Sequence, residues 1–215
     1  TNWGNALDSL NTSSTFPSRK NAVRLRTLVH VATSTLATSS QSFKLQTATS
    51  SGVCDTGFAG ETYLDVATST GDIRFMSNPG VLGGAAALAN FRDPTHSGHN
   101  VVEQTYVDAG TFTNTTTIPV GEDGLWDFAL QNFSAPAGTT YCFRIVKSDN
   151  ALLDTYSQIP EITTSASLSS AAAQVFEYGP APTTAETITV TASAGAGGDV
   201  TAAGDIRVKI DSALA

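Results

Sequence analysis

Charge is scarce in this chain. Asp, Glu, Lys and Arg together make up 14% of its 215 residues, and acids outnumber bases enough to leave a net charge of -8 and a pI near 4.6. So few cations leave no basic stripe with which to follow a phosphate backbone or an anionic bilayer, so neither nucleic acid nor a charged membrane surface is expected as a partner. Aromatic residues reach only 8% and there is a single Met. No run of about 18 apolar residues occurs, so no segment reads as a membrane span. GxSxG, P-loop, dinucleotide and CxxC signatures are all missing, which removes the common nucleophile, phosphate-binding and thiolate-metal motifs. No enzymatic activity and no cofactor are expected. Thr1 is not followed by a basic segment and an apolar one, so if the protein is exported its signal has already been removed.

What is abundant is Ser and Thr between short apolar alternations, the composition of a β-rich surface covered by hydroxyls. Trp126, Phe128 and Leu130, and again Tyr141, Phe143 and Ile145, recur at every second position and so share one face of a strand. Ala135-Pro-Ala-Gly138 and Ser148-Asp-Asn150 read as the turns that follow them, giving strand, corner, strand, hairpin, strand from Trp126 to Thr164. Val23, Leu25, Thr27, Val29 and Val31 predict a half-buried strand with Arg24, Arg26 and His30 on its other face. Phe43 with Leu45, Ile73 with Phe75, Val101 to Val107 and Phe112 to Val120 predict further strands, and Ala-rich Gly84 to Asn90 a helical turn. The fold class expected is all-β, an antiparallel sandwich over residues 1–164.

Cys54 and Cys142 are the only cysteines, lie far apart and lack metal-ligand spacing, so one disulfide of an exported protein is the expected reading, against two unrelated buried thiols. After Thr164 the composition changes. Residues 165–186 read as a linker by their small residues and prolines. Residues 187–215 then hold two alternating strands, with Ile188 and Val190 on one and Ile206, Val208 and Ile210 on the other, around Ala194-Gly-Ala-Gly-Gly198. An isolated hairpin is marginal in water, so these strands need the first domain, further chain or another subunit to lean on.

Candidate chemistry is thin. Asp93-Pro-Thr-His-Ser-Gly-His99 gathers imidazoles and a carboxylate that suit zinc or nickel, yet a solvated turn explains the loop, and no metal is expected. Glu122-Asp-Gly-Leu-Trp-Asp127 offers Glu122, Asp123 and Asp127 to a calcium ion without EF-hand spacing, and an acidic turn explains it as well. Nothing places a second carboxylate across a cleft for glycosidase work. Trp126 and Tyr156 are candidates for stacking on sugars, but Trp126 reads first as the core tryptophan of the sandwich. Asn11, Asn114 and Asn132 head possible glycan acceptor sequons.

The segment Pro136-Ala-Gly-Thr-Thr-Tyr-Cys-Phe-Arg-Ile145 resembles strand F of immunoglobulin-like and fibronectin type III domains. That resemblance implies a tyrosine corner at Tyr141, its hydroxyl bonded to upstream backbone. Cys142, adjacent to Tyr141, falls on the opposite face, so a bridge to Cys54 would tie a loop to the outer surface of the sheet. More widely, residues 21–164 resemble a domain of large secreted surface proteins of candidate-phyla (Patescibacteria, Parcubacteria-type) bacteria. Val23-Arg-Leu-Arg26, Gln41-Ser-Phe-Lys-Leu-Gln46, Cys54, Asn78-Pro79, Gly124-Leu-Trp-Asp127, Thr139-Thr-Tyr-Cys-Phe-Arg144 and Lys147-Ser-Asp149 carry this resemblance. Gly204-Asp-Ile-Arg-Val-Lys-Ile210 is similar to the opening of the module that follows in those proteins. Export and an immunoglobulin-like sandwich with a C-terminal β-hairpin are implied.

The functional expectation is a structural subunit of an extracellular filament or cell-surface assembly, polymerising by adding the 187–211 strands to a neighbour. The alternatives are a module that binds carbohydrate or a cell surface, or one slice of a larger adhesin whose next domain, a second immunoglobulin-like module, begins within residues 187–215.

Overall fold

A computed structural model describes residues 12–16, 22–77, 83–84 and 98–165. The chain divides into two units, Thr1–Ala172 and Ala173–Ala215, and all described residues belong to the first. Every regular element among them is a strand: β1 (Ser14–Phe16), β2 (Ala22–His30), β3 (Ser42–Thr49), β4 (Leu64–Asp65), β5 (Ile73–Phe75), β6 (Val101–Val107), β7 (Thr111–Thr113), β8 (Asp123–Asn132), β9 (Thr140–Lys147) and β10 (Glu161–Thr164). No helix among the described residues is long and apolar enough to cross a membrane.

The strands form two sheets, and the described residues make an all-β sandwich. One sheet runs β1-β10-β9-β3, with β4 and β7 both on the outer side of β3; the other runs β2-β8, with β5 and β6 sharing the far edge of β8. Pairing is antiparallel except between β1 and β10 and between β6 and β8. Alternation turns Trp126, Phe128 and Leu130 of β8 inward, where they meet Phe43 and Leu45 of β3, Phe112 of β7, and Phe143 and Ile145 of β9. The centre is aromatic: the Phe112 ring lies 5.5 Å from Trp126 and 5.1 Å from Phe128, and Phe43 lies 5.7 Å from Trp126. Such edge and tilted contacts add about 0.5–1.5 kcal/mol per pair beyond area burial. Gly124 makes room for this cluster, because a Cβ there would stand 2.4 Å from Ile118 Cδ1 and 2.8 Å from Trp126 Cζ3.

Two expectations need correction. The stretch from Phe112 to Val120 is not one strand: β7 stops at Thr113, and only an isolated bridge between Leu36 and Ile118 follows. Asn114 breaks it, its buried amide turning to donate to the Ala37 carbonyl at 2.6 Å. The turn after β9 does form, with Asn150 N–H on Lys147 O at 2.9 Å, but residues 151–160 are irregular before β10 begins. Tyr156 and Pro160 take the bonds on the flank of β9 that a partner strand would have taken. Residues 85–90, where a helical turn was expected, lie outside the described residues, as do Asn78 and Pro79.

Candidate functional site

The outer face of the β2–β8 pair concentrates the charge. Antiparallel register sets His30 opposite Asp123 and Arg26 opposite Asp127, so the polar faces of both strands coincide. Asp127 is completely buried, and both Arg24 and Arg26 pair with its carboxylate, Arg26 Nε donating to Oδ1 at 2.9 Å. Four residues earlier, at the end of the same face, Asp123 is 1% exposed. β6 runs parallel to β8, which brings its lead-in residues 98–100 alongside: Val101 pairs Asp123, and Asp123 N–H donates to Asn100 O at 3.1 Å.

That arrangement assembles a three-residue cluster from distant parts of the chain. His30 Nδ1 lies 2.9 Å from Asp123 Oδ1 and His99 Nδ1 lies 3.4 Å from Asp123 Oδ2. The two imidazoles stack, with centroids 4.8 Å apart and planes 16° from parallel. All three ligand atoms fall within 4.8 Å of one another. Asp123 Oδ2 accepts no hydrogen bond although it is buried. Neighbouring Glu122 accepts from Asn100 N–H and from Asn100 Nδ2 at 2.8 Å. These bonds, with a smaller contribution from the two histidines, hold its carboxyl below the usual range.

Beside this cluster a cavity of about 390 Å³ opens between residues 26–33, β9 and residues 153–160. Leu45, Phe143 and Ile145 contribute apolar walls, while Arg26, His30, Asp123 and Asp154 add polar ones. Here a loop rather than a strand flanks β9: Phe143 N–H donates to Pro160 O at 3.0 Å, Lys147 N–H to Ala151 O at 2.9 Å, and the Tyr156 hydroxyl to Ile145 O at 2.6 Å.

On the outer face of the β3–β9 pair, Cys54 and Cys142 form a disulfide with Cα atoms 5.4 Å apart. Cys142 faces out of the sheet, and the bridge ties residues 51–63 over it. The Arg144 guanidinium stacks on Tyr63 at 4.0 Å and Phe58 at 4.6 Å, and donates to Gln46 Oε1 at 2.8 and 3.0 Å. Gln46 in turn donates to Asp65 Oδ1 at 2.8 Å, and Lys44 donates to Asp65 Oδ2 at 2.7 Å. Outside the sheet lies a packed polar and aromatic layer.

Several sequence expectations change against this geometry. Asp127 is committed to two arginines and Glu122 to Asn100, so Glu122, Asp123 and Asp127 do not share a calcium site. Trp126 is fully buried, in the core position that its sequence pattern favours, and presents no face to a sugar; Tyr156 spends its hydroxyl on Ile145 and Leu153. Asn114 and Asn132 are buried and hydrogen-bonded, which closes both sequons. Tyr141 does not make a corner bond to upstream backbone: its hydroxyl donates to Asp72 Oδ2 at 2.9 Å, linking β9 to the turn before β5, in the other sheet. Asn11, Asp93, His96, the 166–186 stretch of the expected linker, and the strand residues Ile188, Val190, Ile206, Val208 and Ile210 lie outside the described residues. Sequence reasoning missed the His30–Asp123–His99 cluster, since it depends on β2 and β6 both flanking β8. Compared with known protein families, with curated proteins and with solved structures, the chain matches none.

Proposed function

We propose that the chain is a structural module of an extracellular, cell-surface assembly, joined copy to copy by β-strand addition. The cavity beside β9 carries this reading. Its apolar wall of Leu45, Phe143 and Ile145 belongs to the inner face of a sheet, and a loop lies where another strand would have continued that sheet. The segment 187–211 of a second copy is the proposed occupant: Ile206, Val208 and Ile210 alternate in its sequence, the pattern of a strand with one apolar side, and adding it beside β9 displaces the loop bonds of Ala151, Tyr156 and Pro160. Such a contact is head-to-tail, so it propagates unless a ring closes. The disulfide suits an oxidising, exported setting. The immunoglobulin-like reading of the body belongs to the same proposal, as a variant whose disulfide leaves from a loop instead of crossing the core between sheets.

Electron microscopy and light scattering of native, non-reduced protein across the micromolar range provide the test. The expected result is concentration-dependent growth into fibres or rings, abolished by deleting residues 187–215. Monomers at every concentration, or a truncated protein that still polymerises, overturn it.

A further inference from the structure

We propose that His30, His99 and Asp123 form a binding site for a divalent ion of the zinc type, which pins the lead-in of β6 to the ends of β2 and β8. The inference is independent of strand addition and starts from donor chemistry. Two imidazoles and one carboxylate are a ligand set for zinc and its first-row neighbours, with preference set by geometry more than by raw affinity.

The geometry is nearly that of a bound site. With metal–ligand bonds of about 2.1 Å, donors at the corners of a tetrahedron stand about 3.4 Å apart. Here the two histidine Nδ1 atoms lie 2.9 and 3.4 Å from the carboxylate oxygens, and no pair of the three donors exceeds 4.8 Å. Stacking of the two rings sends both Nδ1 atoms toward the same carboxylate.

Burial supplies the second argument. Asp123 is 1% exposed, yet its Oδ2 accepts no hydrogen bond. A buried carboxylate oxygen left in that condition has lost its hydration without a hydrogen bond in return, a cost that a cation would offset. The His30 side chain, 38% exposed, leaves one side of the cluster open to solvent, so water completes the coordination. Nδ1 of each ring must be unprotonated to bind the metal, which selects the Nε2–H tautomer. A net acidic chain, with Glu122 beside the cluster, favours the incoming cation.

Asn100 already ties the segment 98–100 to Glu122 and Asp123, and a metal shared by residues 30, 99 and 123 would cross-link three segments at one point.

The test uses the untagged full chain and zinc chloride, with calorimetry and long-range ¹H–¹⁵N spectra of the imidazoles. The chain holds three histidines, His30, His96 and His99, so the spectrum is sparse enough to assign. Expected are one ion per chain, a raised thermal midpoint, and a shift of the Nδ1 signals of both His30 and His99. Asp123→Asn and His30→Ala should each weaken binding beyond the ~10–100-fold that loss of an outer-shell partner costs. His30 is at the surface, so His30→Ala keeps the test valid if the Asp123 variant fails to fold. No saturable heat, unmoved His30 and His99 signals, or full affinity in His30→Ala would each overturn the site.

Discussion

Removing the disulfide is the perturbation whose cost can be worked most directly from the structure. Cys54 and Cys142 are separated by 88 positions, and on the chain-entropy relation closing a loop of that length lowers the entropy of the unfolded chain by an amount equal to about 4.6 kcal/mol at 25 °C. Cys142 is fully buried, so Cys142→Ala also leaves a small void worth about 1 kcal/mol or less. In a domain of this size each kcal/mol moves the thermal midpoint by roughly 2–4 °C, so Cys54→Ala/Cys142→Ala should melt roughly 10–20 °C below the parent in scanning calorimetry. Because the effect acts on the unfolded state, far-ultraviolet circular dichroism below the transition should be unchanged. The urea m-value should rise as the unfolded chain expands. A fall of less than about 3 °C would refute the reasoning, as would two titratable thiols in the denatured, unreduced parent.

Other outcomes follow from single contacts. Asp127→Asn takes the negative charge from a fully buried position that Arg24 and Arg26 share and should cost about 1.5–3 kcal/mol in urea unfolding, whereas Arg26→Met, which leaves the carboxylate paired with Arg24, should cost visibly less. Gly124→Ala drives a methyl into Ile118 and Trp126 and should destabilise by about 1–3 kcal/mol, with a changed Trp126 fluorescence spectrum reporting the displacement. Tyr63 carries a buried hydroxyl with no hydrogen-bond partner, and burial, with the Glu61 charge, pushes its pKa from 10.0 up to about 12. Its folded value exceeds the unfolded one, so the stability it contributes is intact below pH 10 and is lost as pH climbs from 10 to 12. Tyr63→Phe should flatten the alkaline limb of a midpoint-against-pH curve, and an unchanged limb would count against that assignment.

Period-2 alternation made most of the fold legible. β2, β3, β5, β8 and β9 all fall where apolar residues recur at every second position, since a half-buried strand leaves its faces written in the sequence. The same signal failed between Phe112 and Val120. There Ile118 is buried for its contact with Gly124 and Leu36 rather than as part of a strand, and Asn114 is buried as a hydrogen-bond donor to a loop. Alternation records which residues are inside, not whether backbone pairing puts them there. Residues 151–160 show the converse, because a tyrosine hydroxyl can satisfy the flank of β9 without any strand pattern.

The polar sites were less visible for a related reason. Arg24, Arg26 and His30 are readable as the outer face of β2, and Asp123 and Asp127 as acids at or within β8. What sorts them into an ion pair and a histidine cluster is the register between the two strands, which the apolar faces of β2 and β8 alone do not fix. A slip of two residues would preserve every buried apolar position and set Arg26 opposite Leu125 or Ala129 instead of Asp127. The pairs His30–Asp123 and Arg26–Asp127 therefore select one register among several that the core would tolerate. The parallel docking of β6 then converts the first of these pairs into a cluster by delivering His99. On this view the charged outer face specifies alignment more than it adds stability. Arg26→Lys, which keeps the charge pair with Asp127, should then preserve the register that Asp127→Asn weakens, a difference that backbone hydrogen exchange along β2 would resolve.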